Sequence, residues 1–411
     1  MAVVACHANT AAPGASLAPD SLAIRRDIDY LASERLAGRL TGTAGNDSAA
    51  AYIARRYTAL GLKPGAPSYQ QHFVARPASH AGPGLSLPTQ NVFGILPGSD
   101  RALRGEYVII GAHFDHLGTS TDGALDPDAK NVVRRGADDN ASGTSAVLEL
   151  ARIFAAKPAR RSIIFANFTG EEQGILGSTY FTEHLPVTVD SVDAMLNFDM
   201  VGRLKDNKLI VYGVGTAAEL SAIVDSANRR DPFALSKQPD GFGPSDHSAF
   251  YAKKIPVLHF FTDLHDDYHR ASDLPDRING AGEARVVAFA ERVARDVADR
   301  PSRLTYAFIA AKASTASREG STDVYLGSIP DMANSDSPGL KLTGVRAGSP
   351  ADVAGIKAGD IIVEFAGTTV KDLYEYSDAL YAHKPGDVVK IVVMRDGKRV
   401  TVEVTLGKRG G

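Results

Sequence analysis

Short apolar runs alternate with segments of helical period through most of this chain, and that alternation restricts the fold more than any other feature. Tyr107 to Ala112, Ser162 to Phe168 and Val192 to Phe198 are apolar at nearly every position and only six or seven residues long, as buried strands are. Asn91 to Leu96, Lys208 to Tyr212 and Pro256 to Phe261 read the same way. Between them the spacing predicts helices. Ser21 to about Leu62 is helical with one loop inside it: Ile24, Ile28 and Leu31 share a face, Tyr52, Ile53, Tyr57 and Leu60 share another, and Gly61-Leu-Lys-Pro-Gly65 stops the pattern. Ser142 to Ala156 carries Ala146, Val147, Leu150, Ile153 and Phe154 at helical period and is closed by Lys157-Pro158. Gly177 to Leu185, Ala217 to Asn228 and Ala281 to Val297 complete the series. Strands alternating with helices predict an α/β three-layer sandwich with a mostly parallel central sheet. In such sheets ligand sites collect beyond the carboxyl ends of the strands.

The chain of 411 residues is long enough for more than one domain, and 44% apolar with 23% charged residues is ordinary for a globular protein. Residues 310–321 are rich in Ala, Ser and Thr without apolar period, which marks a linker. The expected organisation is a tail over 1–20, a large unit over 21–309, the linker, and a small β-rich unit over 322–411. A net charge of -3 without long runs of one sign gives no footprint for nucleic acid or an anionic membrane. No apolar run approaches the ~20 residues a membrane-spanning helix needs. Val3-Val-Ala-Cys6, followed by an Ala/Pro/Ser/Thr stretch, resembles the end of a bacterial lipoprotein signal. It implies an exported protein, periplasmic, secreted or lipid-anchored through Cys6. That cysteine is the only one, so a metal site elsewhere must use His, Asp and Glu.

Chemistry-bearing residues concentrate in six patches: Gly111-Ala-His-Phe-Asp115, Gly136-Ala-Asp-Asp-Asn-Ala-Ser-Gly143, Thr169-Gly-Glu-Glu172, Asn197-Phe-Asp-Met200, Ser245-Asp-His-Ser-Ala-Phe250 and Tyr268-His-Arg-Ala-Ser-Asp273. Four of them fall at strand ends. Adjacent carboxylates gathered in one pocket repel one another unless a cation compensates them, and a divalent metal is the natural compensation. Oxygen and imidazole donors without thiolate point to zinc, with cobalt or manganese as substitutes. Each patch alone has a plainer reading. Asp138-Asp139 could be acids favoured at a helix N-terminus, Glu171-Glu172 a solvated loop, and His113 or His269 a structural histidine.

In their order, these patches resemble the di-zinc aminopeptidases of metallopeptidase family twenty-eight, which also holds glutamate carboxypeptidases and glutaminyl cyclases. The resemblance runs from about Ile24 to Asp299 and includes Leu31-Ala-Ser-Glu-Arg-Leu-Ala-Gly-Arg39 and Gly42-Thr-Ala-Gly45. It implies two zinc ions: His113 and Asp199 on one, Glu172 and His269 on the other, Asp139 bridging. It implies Glu171 as general base, Asp115 as the residue that orients His113, and Tyr268 as donor to the oxyanion. Asp138, His116, Asp246, His247, His259 and His265 read as structural, with Asp246 and His247 shaping the pocket wall. The implied activity is removal of residues from the free amino end of peptides. A carboxypeptidase, a dipeptidase or a glutaminyl cyclase on the same metals is the alternative, and a non-enzymatic binding protein in which this unit only presents the C-terminal unit is the rival from another class.

Leu340 to Ile362, with Gly348-Ser-Pro350, Ala354-Gly-Ile356 and Gly359-Asp360, resembles the PDZ domains of bacterial proteases over about Val324 to Leu406. Strands are expected at Leu340 to Val345, Asp360 to Phe365, Val388 to Met394 and Val400 to Val404. Such domains take a peptide's C-terminus as an added strand. Pro330, just after Tyr325-Leu-Gly-Ser328, lacks the N–H a pairing strand offers, so an intramolecular role in covering or steadying the active site is the rival expectation.

Overall fold

A computed structural model of the chain describes residues 17–76, 86–121, 123–126, 129–243, 245–309, 324–330, 337–345, 348–371, 375–376, 379–380 and 382–408. The lipoprotein-like segment around Cys6 and the expected linker over 310–321 lie outside the described residues. Among the described residues no helix is long and apolar enough to cross a membrane.

The larger unit is built from α1 (Ser21–Leu31), α2 (Ala44–Ala59), β1 (Lys63–Pro64), β2 (Gln70–Ala75), β3 (Leu87–Leu96), β4 (Tyr107–His113), α3 (Gly143–Ala156), β5 (Ser162–Phe168), α4 (Leu176–Glu183), β6 (Val192–Phe198), β7 (Lys208–Tyr212), α5 (Leu220–Asn228), β8 (Ala234–Gln238), α6 (His247–Tyr251), β9 (Val257–Phe261) and α7 (Gly280–Asp299). The strands form one sheet in the order β1-β3-β5-β4-β6-β9-β7-β8, with β2 paired to β3. Its middle, β5-β4-β6-β9, is parallel, and the pairs flanking that middle, β3 with β5 and β7 with β9, are antiparallel.

Strand periodicity explains the layers. Along β4, Val108, Ile110 and Ala112 enter a core shared with α1, α2, α3, α5 and α7, whereas Ile109 points to the opposite face, into a core with Phe181 of α4 and Phe250 of α6. β5 divides likewise, Ile163 and Phe165 to one side and Ile164, Ala166 and Phe168 to the other. A strand covered on both faces must be apolar throughout, which is why these runs stand out in the sequence. The helices start where side chains cap them. Asp20 accepts from the backbone N–H of Leu22 and Ala23 at 2.9 and 3.2 Å, and Asn279 accepts from Gly282 at 2.9 Å. Periodicity does not mark β2, β8 or α6: β8, Ala-Leu-Ser-Lys-Gln, is a half-exposed edge strand with no apolar run to betray it.

The smaller unit has its own core, from Val324 to Leu406, of residues such as Leu342, Ile362, Phe365, Ile391 and Val404. β10 (Val324–Tyr325) pairs with β17 (Gly407–Lys408), and a sheet runs β11 (Ser328–Pro330), β12 (Leu340–Val345), β13 (Ile361–Phe365), β15 (Val388–Arg395), β16 (Lys398–Thr405), with β14 (Thr368–Thr369) on β13. The short helix α8 (Pro350–Val353) is capped by Ser349 and followed by Gly355 at φ +80°. β11 lies at the sheet edge, and its register with β12 shifts at Pro330.

Candidate metal centre

All five residues implied as ligands converge beyond the carboxyl ends of β4, β5, β6 and β9. His113, the last residue of β4, is 1% exposed, and its carbonyl accepts from the Thr144 hydroxyl at 2.8 Å. Its Nε2 lies 3.4 Å from Asp139 Oδ1 and 3.4 Å from Asp199 Oδ1, at the end of β6. On the other side of Asp139, Oδ2 lies 3.0 Å from His269 Nε2, which is itself 3.1 Å from Glu172 Oε2. The site therefore has two lobes joined by one carboxylate.

These distances suit a tetrahedral ion: donor atoms bound at about 2.0–2.1 Å stand about 3.3 Å apart. His113, Glu171 and Asp199 place donor atoms within 4.8 Å of one another, as do His113, Asp139 and Glu172. His113 Nε2, Asp139 Oδ2 and Asp199 Oδ1 are buried without a hydrogen-bond partner. Orphaned imidazole and carboxylate atoms facing into the two lobes fit divalent ions.

Electrostatics agree. Burial pushes the Glu171 carboxyl well above the usual range, and Glu172, Asp199 and Asp246 add to this against the opposing pull of His113. Burial and then Glu172 raise Asp139, and burial raises Asp246 to about 7. Burial would lower His113, yet the charges of Asp199 and Glu171 outweigh it and hold the imidazole well above its ordinary value. His269 is raised in the same way, mainly through Glu172. Glu172 moves oppositely: burial would raise it, but His269 and His116 hold it well below the carboxylate range. The shifts share one cause, a crowd of buried acids short of positive charge, which a divalent ion held by these residues would supply.

A surrounding shell of hydrogen bonds aims these groups. Asp115, fully buried, lies 3.6 Å from His113 Nδ1 through Oδ1, which also accepts the Glu171 N–H at 3.2 Å, while Oδ2 accepts from Thr41 Oγ1 at 3.1 Å. The buried guanidinium of Arg39 donates to the carbonyls of Phe114 (2.7 Å), Leu31 (2.6 Å), Arg135 (2.7 Å) and Gly136 (2.9 Å), tying the loop after β4 to the segment that carries Asp139. The backbone N–H groups of Asp138 and Asp139 donate to Asp273 at 3.0 and 3.1 Å. Asn140, joined to Asp139 by a cis peptide bond, accepts from Gly143 N at 2.8 Å and donates to Phe198 O at 2.9 Å. It is Asn140, not the two acids, that serves the start of α3. Asp138 accepts from Gly202 N at 2.7 Å and faces His265 Nε2 at 3.1 Å. His269 keeps its other nitrogen, Nδ1, 2.9 Å from the carbonyl of Gly123, which leaves Nε2 for the lobe.

Tyr268 stacks on His269 with ring centroids 3.8 Å apart and packs with Leu264 and Tyr212 against Met200, Ile210 and Phe261. His247 and His259 stack on each other at 4.4 Å, and burial lowers both, His259 to about 4, as befits neutral rings in a wall. His259 reaches the centre indirectly: Asn197 Nδ2 is 3.0 Å from its Nδ1 and donates to Ser245 Oγ at 2.9 Å, and Ser245 donates to Asp199 Oδ2 at 2.8 Å. His116 does not fit the purely structural reading. Its Nδ1 lies 2.7 Å from Glu172 Oε1 and 3.8 Å from Asp139 Oδ2. The signal was its place three residues after His113, in the loop leaving the same strand.

Residues 91–294 match peptidase family M28, and residues 324–406 match the PDZ domain. Leucine aminopeptidase 2 of Trichophyton equinum is 30% identical over 183 residues, 42% of this chain and 34% of that protein. The chain thus matches about a third of the length of the curated relatives. Among solved structures, the aminopeptidase from Aneurinibacillus sp. strain AM-1 aligns with a TM-score of 0.55 at 18% identity over 71% of this chain and 97% of that one. The glutaminyl cyclase of Bacteroides thetaiotaomicron aligns at 0.57 and 18% over 69% and 99%. Likeness at that identity establishes the fold of the larger unit. The chain therefore joins a domain of peptidase family M28, with the converging histidines and acids at its heart, to a C-terminal PDZ domain.

Proposed function

We propose that this chain is a zinc-dependent aminopeptidase with two zinc ions in the lobes joined by Asp139. The observation that carries the reading is that carboxylate, whose Oδ1 faces His113 and whose Oδ2 faces His269. His113 and Asp199 complete one ligand set, Glu172 and His269 the other. Residues 21–309 form the peptidase unit and 322–411 the PDZ unit.

Bound zinc lowers the pKa of a coordinated water to about 7 and polarises the carbonyl of the bond to be cut. Glu171, with Oε2 4.0 Å from His113 Nε2, is read as the base rather than as a ligand. Its raised pKa suits a base that takes a proton from the attacking water and returns it to the leaving amine. Asp115 serves both partners, since it faces the imidazole of His113 and holds the backbone N–H of Glu171. The Tyr268 ring, fixed by its stack on His269, presents a hydroxyl whose proton burial keeps in place, as a donor to the oxyanion requires. Met200 follows ligand Asp199 and Tyr268 precedes ligand His269, and both belong to the cluster with Phe261 and Leu264. The PDZ domain adds a peptide-binding module whose edge strand β11 offers a partner for an added strand.

The test compares leucyl-anilide with its N-acetyl form in zinc-loaded and chelated protein. Cleavage of the free-amine substrate alone, and only with metal, is the expected result. Cleavage of neither, with cyclisation of an N-terminal glutaminyl peptide, would refute the aminopeptidase reading in favour of a cyclase on the same ligands.

A further inference from the structure

Glu172 is gripped at both oxygens, and only one grip belongs to the expected ligand set. Oε2 faces His269 Nε2 at 3.1 Å, a separation typical of two donors around one ion, whereas Oε1 faces His116 Nδ1 at 2.7 Å, the distance of a short charge-assisted hydrogen bond. A carboxylate oxygen only accepts, so the proton lies on Nδ1 of His116.

We infer that His116 is a positioning residue of the metal centre, whose Nδ1–H holds Oε1 of Glu172 so that only Oε2 is offered to the ion shared with His269 and Asp139. The inference rests on the zinc reading given above. The surroundings of the ring support it. His116 is fully buried, its backbone N–H donates to the Arg39 carbonyl at 3.4 Å, and its ring meets that of His269 edge-on at 5.8 Å. Behind it stands Gly136, at φ +57°, where a Cβ would sit 2.5 Å from the ring carbon Cγ and 2.0 Å from the Asp139 carbonyl oxygen. A side chain at position 136 would push the imidazole off Glu172, so the glycine and the histidine are a matched pair. A carboxylate with one oxygen committed to a donor binds through the other alone.

The experiment measures stepwise zinc affinity of the full chain by chelator competition, and the coordination of the cobalt-substituted protein by X-ray absorption, for wild type, His116→Ala and His116→Asn. Thermal midpoints of the metal-free proteins show whether each variant folds. His116→Ala is expected to weaken one of the two ions about 10–100-fold and leave the other within about threefold. His116→Asn, whose amide N–H replaces the Nδ1 donor, is expected to recover most of that loss. Unchanged stepwise affinities in His116→Ala would overturn the proposal. So would an Asn variant as weak as the Ala variant with one nitrogen fewer around cobalt, because His116 would then be a ligand itself. A wild type that takes up fewer than two ions would instead sink the two-metal reading, and a two-ion wild type without aminopeptidase activity would leave this inference standing.

Discussion

Asp115 is the residue whose replacement separates charge from hydrogen bonding at the centre. Its Oδ1 serves His113 Nδ1 and the Glu171 N–H, and its Oδ2 accepts from Thr41, whose hydroxyl also lies 3.2 Å from the Thr169 hydroxyl. In Asp115→Asn the amide oxygen can keep the Oδ1 position. The new N–H₂ then faces Thr41, which can rotate to accept it and donate to Thr169 instead. The hydrogen-bond count survives and only the charge behind His113 is lost. A hydrogen bond to a charged group contributes about 1.5–3 kcal/mol and a neutral one about 0.5–1.5, so the difference is about 1–1.5 kcal/mol, or roughly 5–15-fold in zinc affinity. Asp115→Ala is another matter. It strands the Glu171 N–H in a buried site at about 1–3 kcal/mol and frees the His113 ring, so metal affinity falls by about 10–100-fold and the metal-free fold loses stability as well. Chelator competition gives the affinities, and thermal melts of the metal-free variants give the stability. Equal losses in the two variants, or none in Asp115→Asn, would refute the division of labour argued here.

Glu171→Gln is expected to retain both metals and lose about 10²–10⁴-fold in turnover, checked by metal content against kcat; retained activity would remove Glu171 as the base. Zinc uptake at pH 7 is expected to release protons. Neighbouring carboxylates hold the His113 and His269 imidazoles above their ordinary range, which favours their protonated forms in the metal-free protein; zinc needs them neutral, so affinity falls as pH falls. Calorimetry in buffers of different ionisation enthalpy measures this, and a buffer-independent heat would contradict it. In the PDZ domain, buried Asp360 pairs with Arg395 at 2.6 Å and accepts from Lys357 N at 2.9 Å. Burial would raise its pKa, but Arg395 outweighs that and depresses it, so its contribution is present above the unfolded carboxylate value and is lost as pH falls below it. Asp360→Asn is accordingly expected to cost about 1–3 kcal/mol at neutral pH and little at acid pH, read from melts of the full chain.

The strands that carry the site were legible because burial on both faces makes a strand apolar throughout: Ser162–Phe168 and Val192–Phe198 are bounded in the structure where their composition changes. Edge strand β8 and the one-turn helix α6 are not so constrained and left no mark. The same distinction divides the site. The patches that hold His113, Asp139, Glu172, Asp199 and His269 could be singled out by their motifs and by the resemblance these carry, and the structure brings the five residues together. Of the shell that aims them, Asp115 could be named from the family resemblance and the rest could not. Arg39 acts from far upstream by satisfying backbone carbonyls, a task no side-chain pattern announces. His116 looked like any buried histidine until Glu172, from a different strand end, was brought to 2.7 Å.

The two adjacent acid pairs show why order alone stops short of mechanism. Neighbouring residues in a turn point to different sides, so a pair at a strand end can divide its tasks. Asp139 turns into the centre and Asp138 turns away to bind Gly202 N and His265. Glu172 enters its lobe between His116 and His269, while Glu171, one residue earlier, stops 4.0 Å from His113 and has its backbone tied to Asp115. In the first pair the non-ligand acid supports the backbone, and in the second it is left near the reacting space with a raised pKa. What separates these outcomes is surroundings: Asp138 accepts from a backbone N–H at 2.7 Å and faces a histidine at 3.1 Å, whereas His113, 4.0 Å from Glu171, does not offset the burial of that carboxyl. On the proposed reading, that difference in surroundings is the physical ground for placing the base at Glu171 rather than at Asp138.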